Sequence, residues 1–180
     1  MNPTVELWYF AYGSNLDPGT FEGRRRMRPR EARVASLPDH RLVFDLPVGD
    51  GERGVGNLLP FPGEIVFGVA YRITADEAER LDATEGVPRA YRRCDVEIET
   101  VDGARLAAFT YLSPHRREGR KPSERYLELL LRGARHHGLP APYVRSLAEL
   151  ERALDERERQ LRLFAPHEYV PRRKALADPS

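Results

Sequence analysis

The fold of this 180-residue chain is decided near its start, in the stretch Tyr9-Phe10-Ala11-Tyr12-Gly13-Ser14-Asn15-Leu16. Apolar residues at both parities up to Tyr12 predict a strand that is buried on both faces. Gly13 supplies conformational freedom, and the short polar side chains that follow it are typical of a tight turn. Asp17-Pro18 then predicts the start of a helix, because Asp caps helices and Pro suits their first turn.

A strand that leads through a small-residue turn into a helix leaves several backbone N–H groups pointing the same way. Such a nest binds a carboxylate or a phosphate. The turn at 12–15 lacks the longer glycine pattern and the lysine of a nucleotide-binding loop, so a carboxylate is the favoured ligand. The alternative is turn chemistry alone, since many strand–turn–helix units carry the same residue types without any ligand.

Opposite charges nearly balance in this chain, with 29 Lys and Arg against 28 Asp and Glu. That balance gives no electrostatic argument for a nucleic-acid or membrane partner. Cys94 is the only cysteine, so no internal disulfide can form, which is typical of a reducing cytosol. Pro3 interrupts a polar start that is unlike a signal peptide, and no apolar run approaches the roughly 18 residues of a membrane span. We therefore expect a cytoplasmic monomer or homodimer.

Strand patterns dominate the first two-thirds of the chain. Extended segments are predicted at 33–37, 41–46, 54–60, 65–73, 92–101 and 104–112. Asp102-Gly103 between the last two segments predicts a hairpin turn. The patterns together predict an α+β fold, with a largely antiparallel sheet that is curled toward a small barrel and flanked by helices.

Three helices are predicted around this sheet. They lie at 75–85, from 122 or 123 to 137, and from about 142 past Leu154 into the charged run 155–162. Thr74 and Glu77 form a capping box at the start of the first helix, and Gly138 ends the second. We expect a single domain over 1–165, followed by a Pro- and Arg-rich tail at 166–180.

The string Tyr12-Gly13-Ser14-Asn15 after an aromatic strand resembles the signature of the gamma-glutamylcyclotransferase family, within the AIG2-like superfamily. That family also has a Glu-Gly pair at a helix end in mid-chain, and Glu85-Gly86-Val87 stands in that context here. The resemblance extends from about Tyr9 to about Leu147. It implies an enzyme with no metal or redox cofactor, which cyclises the gamma-glutamyl group of a small-molecule substrate to 5-oxoproline and releases the amine.

Glu85 is the predicted catalytic residue, because it matches the proton-acceptor glutamate of the family. A carboxylate in the last turn of a helix faces the negative end of the helix dipole, which favours its protonated form and suits a general base. The alternative is an exposed helix-end glutamate of no consequence, and Gly86 as a C-cap is compatible with both interpretations.

The expected reaction is the attack of the glutamyl α-amine on the gamma-carbonyl carbon, which closes a five-membered lactam. One carboxylate between the attacking and leaving nitrogens could take a proton from the first and return it to the second. The leaving group stays open among gamma-glutamyl amino acids, gamma-glutamyl amines such as that on a lysine side chain, and a protected antibiotic precursor. The loop of the glutathione-specific branch reads differently, so that substrate fits less well.

The turn and the family resemblance together assign the substrate-binding residues. These are Tyr9, Tyr12, Gly13, Ser14, Asn15, Leu16, Tyr91, Tyr111 and Tyr126. For the last three, the alternative is ordinary core tyrosines whose hydroxyl groups are satisfied within the protein. The segment between Glu85 and Tyr91 is one residue shorter than in the animal enzymes.

Six arginines crowd ten residues after the turn. They are Arg24, Arg25, Arg26, Arg28, Arg30 and Arg33. No aromatic residues are interleaved with them, so we interpret the run as a solvated helix face with a minor role in steering an anionic substrate. An RNA-binding domain is the weaker alternative, and a catalytically silent family member that binds a small acidic metabolite or a partner is another.

Overall fold

Five strands close into a barrel in the computed structural model, which describes residues 5–154. The strands are β1 (Glu6–Ala11), β2 (Glu31–Pro47), β3 (Gly54–Thr74), β4 (Arg92–Thr100) and β5 (Arg105–Leu112). Their order around the barrel is β1-β3-β2-β4-β5. Every neighbouring pair is antiparallel except β1 and β5, which are parallel. The predicted α+β fold with a small, largely antiparallel barrel is confirmed.

Two strands are longer than the sequence patterns predicted. Segments 33–37 and 41–46 belong to the single strand β2, and segments 54–60 and 65–73 belong to β3. The turn residues between the predicted pieces form an irregularity in the pairing instead of a chain reversal. Asp39 takes a φ of 55° there, and its Oδ1 accepts a hydrogen bond from the Gly63 N–H at 2.8 Å.

The strand β1 is buried on both faces, as predicted. Phe10 and Tyr12 pack in a cluster with residues of the other four strands, which is the barrel interior. Tyr9 and Ala11 pack on the opposite side in a second cluster that includes the helices. The C-terminal end of β1 therefore lies between two packed layers, and the turn that follows is firmly held.

Within residues 5–154, three α-helices cover the barrel: α1 (Ala75–Glu85), α2 (Glu124–His136) and α3 (Ala141–Ala148). The predicted capping box of Thr74 and Glu77 is present at the start of α1, and Gly86 ends that helix with a φ of 70°. The prediction for the third helix was wrong at its end, since Leu154 lies outside α3. Beyond the end of α3, the Ala153 N–H donates a hydrogen bond to the Pro122 carbonyl oxygen at 2.9 Å. The run 155–162 and the tail 166–180 lie outside the described residues.

The turn after β1 consists of a 3-10 segment, Ser14–Leu16, and a π-helical segment, Gly19–Arg24. The predicted cap is confirmed, because Asp17 Oδ2 accepts a hydrogen bond from the Thr20 N–H at 2.8 Å. Helix α2 packs directly on this turn, since a Cβ atom on Gly133 would lie 2.3 Å from the Leu16 carbonyl carbon. The turn capped by Asp17 and helix α2 are therefore packed tightly against each other, behind the candidate site.

Candidate active site

A polar pocket opens where the turn after β1 meets the end of α1, β5 and the start of α2. It is lined by Tyr9, Tyr12, Gly13, Ser14, Asn15, Gly56, Glu85, Tyr91, Tyr111 and Tyr126. The structure thus brings nine of the predicted site residues together, but Leu16 is not among them. Leu16 has no exposed surface, and its N–H donates to the Gly13 carbonyl at 2.9 Å. Its assignment as a substrate-binding residue is corrected: Leu16 supports the turn from the core.

Glu85 is the last residue of α1, and its carboxylate faces the pocket with only 11% of the side chain exposed. Its Oε1 accepts a hydrogen bond from Asn15 Nδ2 at 3.0 Å and lies 2.9 Å from Arg25 Nη1. None of the hydrogen bonds among residues 5–154 uses Oε2, and the shortest approach of the Arg25 guanidinium is to Oε1. One oxygen is therefore fixed, while the other is available to a ligand.

Asn15 links the turn to the carboxylate. Its Nδ2 donates to the Tyr9 hydroxyl oxygen at 2.7 Å and to Glu85 Oε1 at 3.0 Å. Because a carboxylate only accepts hydrogen bonds, the atom facing Glu85 is the amide nitrogen. The opposite atom, Oδ1, is buried and has no partner among the described residues. An unpaired buried acceptor costs about 1–3 kcal/mol.

Tyr126 reaches the pocket from the first turn of α2. Its hydroxyl oxygen accepts a hydrogen bond from the Gly56 N–H at 3.0 Å. Burial raises the pKa of Tyr126 to about 12, although the N–H groups of Gly56 and Ser14 oppose the rise. The hydroxyl therefore keeps its proton near neutral pH, and no acceptor among residues 5–154 takes that proton.

The requirement for glycine at position 13 differs from the expectation. Gly13 has a φ of −109°, so a left-handed backbone conformation is not the reason. A Cβ atom at Gly13 would instead lie 2.9 Å from the Tyr126 hydroxyl oxygen, and one at Gly56 would lie 3.0 Å from it. Both glycines are required for the close approach of that hydroxyl. Gly56 was missed by the sequence analysis, because its partner is 70 residues away.

Three other pocket tyrosines, Tyr12, Tyr91 and Tyr111, donate their hydroxyl protons to protein groups. Tyr12 donates to the Tyr111 carbonyl oxygen at 2.5 Å, and Tyr91 donates to the Gly56 carbonyl oxygen at 2.9 Å. Tyr111 donates to Asp82 Oδ1 at 2.6 Å. Burial is the largest cause that raises the pKa of each of these tyrosines, so the pocket wall is uncharged. Their hydroxyl oxygens can still accept hydrogen bonds from a ligand.

The interpretation of the arginine run as a solvated face is wrong for Arg25. The neighbours Arg24, Arg26, Arg28 and Arg30 are exposed. Arg25, in contrast, is 13% exposed in its side chain and forms the ion pair with Glu85. The Arg25 N–H donates to the Thr20 carbonyl oxygen, which closes the π-helical segment. From that wide turn the guanidinium faces the C-terminal end of α1, where a cation is favourable. Arg25 is therefore removed from the surface that the RNA-binding alternative would use.

No helix among residues 5–154 is long and apolar enough to cross a membrane. In the same range, no group of three or more His, Cys, Asp or Glu side chains is arranged as a metal site.

Comparison with known proteins connects this pocket to one family. The family model described as AIG2-like matches residues 65–147. The human protein named gamma-glutamylcyclotransferase is 31% identical over 151 residues, which cover 79% of this chain and 78% of that protein. The gamma-glutamyl cyclotransferase gliK of Claviceps purpurea is 32% identical over 145 residues, which cover 74% of this chain and 65% of that protein.

A solved structure titled gamma-glutamyl cyclotransferase matches this one with a TM-score of 0.72 and 26% sequence identity. The match covers 87% of this chain and 98% of the other. The closed barrel and its polar pocket thus define an AIG2-like α+β protein. The chain belongs to the gamma-glutamylcyclotransferase family, which is a family of enzymes, as the motifs had implied.

Proposed function

We propose that this enzyme cyclises the gamma-glutamyl group of a gamma-glutamyl amino acid or amine to 5-oxoproline, with release of the amine and with Glu85 as the general base. The observation that carries the proposal is the Glu85 carboxylate, which lines the pocket with Oε1 held by Asn15 and Arg25 and with no hydrogen bond to Oε2 among the described residues. A carboxylate fixed in this way, among uncharged tyrosines, is suited to accept a proton in a defined direction.

The substrate's α-carboxylate binds the turn at Gly13, Ser14 and Asn15. Within residues 5–154, no backbone acceptor takes the N–H groups of these three positions, and the Ser14 N–H faces the Tyr126 hydroxyl oxygen. A 3-10 segment leaves its first N–H groups without internal partners, and such groups attract an anion. The α-ammonium then lies beside Glu85, and one of its protons goes to Glu85 Oε2.

The freed amine attacks the gamma-carbonyl carbon, forming the C–N bond of the lactam and moving the carbonyl electron pair onto oxygen. The Tyr126 hydroxyl donates to this oxyanion, because its raised pKa keeps it protonated. Collapse of the intermediate breaks the bond to the leaving nitrogen, which receives the proton held by Glu85. The ionised Glu85 then takes the remaining extra proton from the ring nitrogen and passes it to the released amine, which leaves as an ammonium ion. Because the attack is intramolecular, most of the rate gain comes from holding the two ends of the glutamyl group in position.

We also propose a cytoplasmic location, which the single free thiol of Cys94 supports. The substrate is a small molecule, and the leaving amine is left open between an amino acid, a simple amine, a lysine side chain and an antibiotic precursor. A monomer or homodimer and a single domain over 1–165 remain predictions.

A panel of gamma-glutamyl compounds tests the proposal. The purified protein is incubated with a gamma-glutamyl amino acid, a gamma-glutamyl alkylamine, gamma-glutamyl-lysine and glutathione, and 5-oxoproline is measured over time. We expect 5-oxoproline from at least one of the first three, and none when Glu85→Gln replaces the wild type. Binding of 5-oxoproline without any turnover would instead identify the chain as a silent member that binds a small acidic metabolite.

A further inference from the structure

Arg25 occupies a defined place at the end of α1. Its Nη1 lies 2.9 Å from Glu85 Oε1 and donates to Thr84 Oγ1 at 2.6 Å. Thr84 Oγ1 in turn donates to the Leu81 carbonyl oxygen at 2.8 Å, so the last turn of the helix fixes the hydroxyl that receives the guanidinium. The Arg25 and Glu85 side chains are only 13% and 11% exposed, which limits screening of the pair by water.

We propose that Arg25 is a positioning residue that holds Glu85 as an oriented, ionised carboxylate, with Oε1 occupied and Oε2 left to the substrate. This inference rests on the proposed function of Glu85. Arg25 does not line the pocket, so it acts through Glu85 and not by contact with the substrate.

The surroundings of Glu85 explain why a cation is required there. The groups that face it from other elements are Tyr9 of β1, Tyr12 and Asn15 of the turn, Tyr91 before β4, Tyr111 of β5 and Tyr126 of α2. All of these are uncharged near neutral pH. The nearby acidic group Asp82, on the same helix, is already paired with Arg93 at 2.7 Å. The negative end of the α1 dipole also disfavours an anion at position 85. Arg25 therefore supplies the compensating charge.

The pair also selects the reacting oxygen. Oε1 receives the Asn15 amide and faces the Arg25 guanidinium, so it is a poor site for a further proton. Proton transfer from the substrate is thus directed to Oε2. Without Arg25, Glu85 could rotate and bind the incoming ammonium through either oxygen, and the angle of attack would no longer be fixed.

The test compares the pH dependence of kcat/KM for the wild type, Arg25→Gln and Arg25→Lys. Removing the cation favours the protonated carboxyl, so the acidic limb of the Arg25→Gln profile should move to higher pH. At the pH values of that limb, kcat/KM of Arg25→Gln should be about 10-fold or more below that of the wild type. On the alkaline side the difference should be small. Arg25→Lys keeps the positive charge, so the acidic limb of its profile should lie close to that of the wild type. Arg24→Gln and Arg26→Gln, at exposed neighbours, are the matched controls and should leave the profile unchanged.

A purely structural role for Arg25 gives a different result, since it would lower activity by the same factor at every pH. That result, or an Arg25→Gln profile with the wild-type acidic limb, overturns the inference. If Arg25→Gln does not fold, Thr84→Val loosens the guanidinium and should move the limb in the same direction by a smaller amount.

A second measurement separates this inference from the proposed function. In protein labelled with 13C-glutamate, the Glu85 carboxyl signal is assigned by its loss in Glu85→Gln, and its titration is followed without any substrate. The titration midpoint should rise in Arg25→Gln, and an unchanged midpoint overturns the role of Arg25. Failure of the wild type to form 5-oxoproline from any compound of the panel would refute the proposed function. The titration midpoint would still show whether Arg25 acts on the Glu85 carboxyl.

Discussion

A Cβ atom added to Gly13 would stand 2.9 Å from the hydroxyl oxygen of Tyr126. The turn after β1 and the first turn of α2 are therefore fitted to each other, although the two residues are far apart in the sequence. The contact places a protonated phenol beside the backbone N–H groups that we assign to the substrate's α-carboxylate. It makes the glycine of the signature motif a requirement of packing within the pocket.

Gly13→Val is expected to reduce kcat/KM far more than Ser14→Ala. The valine side chain displaces the Tyr126 hydroxyl and blocks the approach of a carboxylate to the turn, whereas Ser14 contributes mainly its backbone. Steady-state kinetics and the affinity for 5-oxoproline measure both effects, with thermal unfolding to verify that each variant folds. An equal or larger loss in Ser14→Ala would show that the serine side chain, and not the backbone, binds the ligand.

Tyr126→Phe is expected to lower kcat by about 10²–10³-fold with little change in KM, because it removes a donor that acts on the oxyanion of the transition state. Tyr143→Phe is the matched control. The Tyr143 hydroxyl is also buried, but Tyr143 belongs to α3 and lines a different groove. A loss of the same size in both variants, or a change confined to KM in Tyr126→Phe, contradicts the role given to this hydroxyl.

Alkaline pH is expected to destabilise the fold before the seven tyrosines of residues 5–154 ionise in the native protein. Burial raises the pKa of Tyr9, Tyr12, Tyr71, Tyr91, Tyr111, Tyr126 and Tyr143. Their stabilising effect is fully present below the unfolded value of about 10 and is lost as pH rises toward the folded value, which is about 12 for Tyr126. The free energy of unfolding should fall by about 1.4 kcal/mol per pH unit for each such group in that range.

Urea unfolding between pH 8 and pH 11, followed with tyrosinate absorbance, measures this effect. Tyrosinate absorbance should rise together with the loss of structure. Ionisation of most tyrosines near pH 10 in a protein that remains folded contradicts their burial.

The parts of the molecule that could be predicted from the sequence are those set by local patterns. The aromatic strand, the capping box at Thr74 and the Glu85-Gly86 helix end each depend on residues within a few positions of one another. The contact of Arg25 with Glu85 could not be predicted, because it depends on a π-helical segment that no local pattern indicates. The continuity of β2 was missed because the residues around Asp39 are typical of a turn. In the structure they form a bulge within a paired strand.

The rate of 5-oxoproline formation by Glu85→Gln tests the central claim most directly. The substitution keeps the volume of the side chain and removes the proton acceptor, so the rate should fall by about 10²–10⁴-fold. Glu79→Gln, an exposed position on the same helix, should retain the wild-type rate, and both variants should unfold at the wild-type temperature. An undiminished rate in Glu85→Gln would contradict the assignment of Glu85 as the general base.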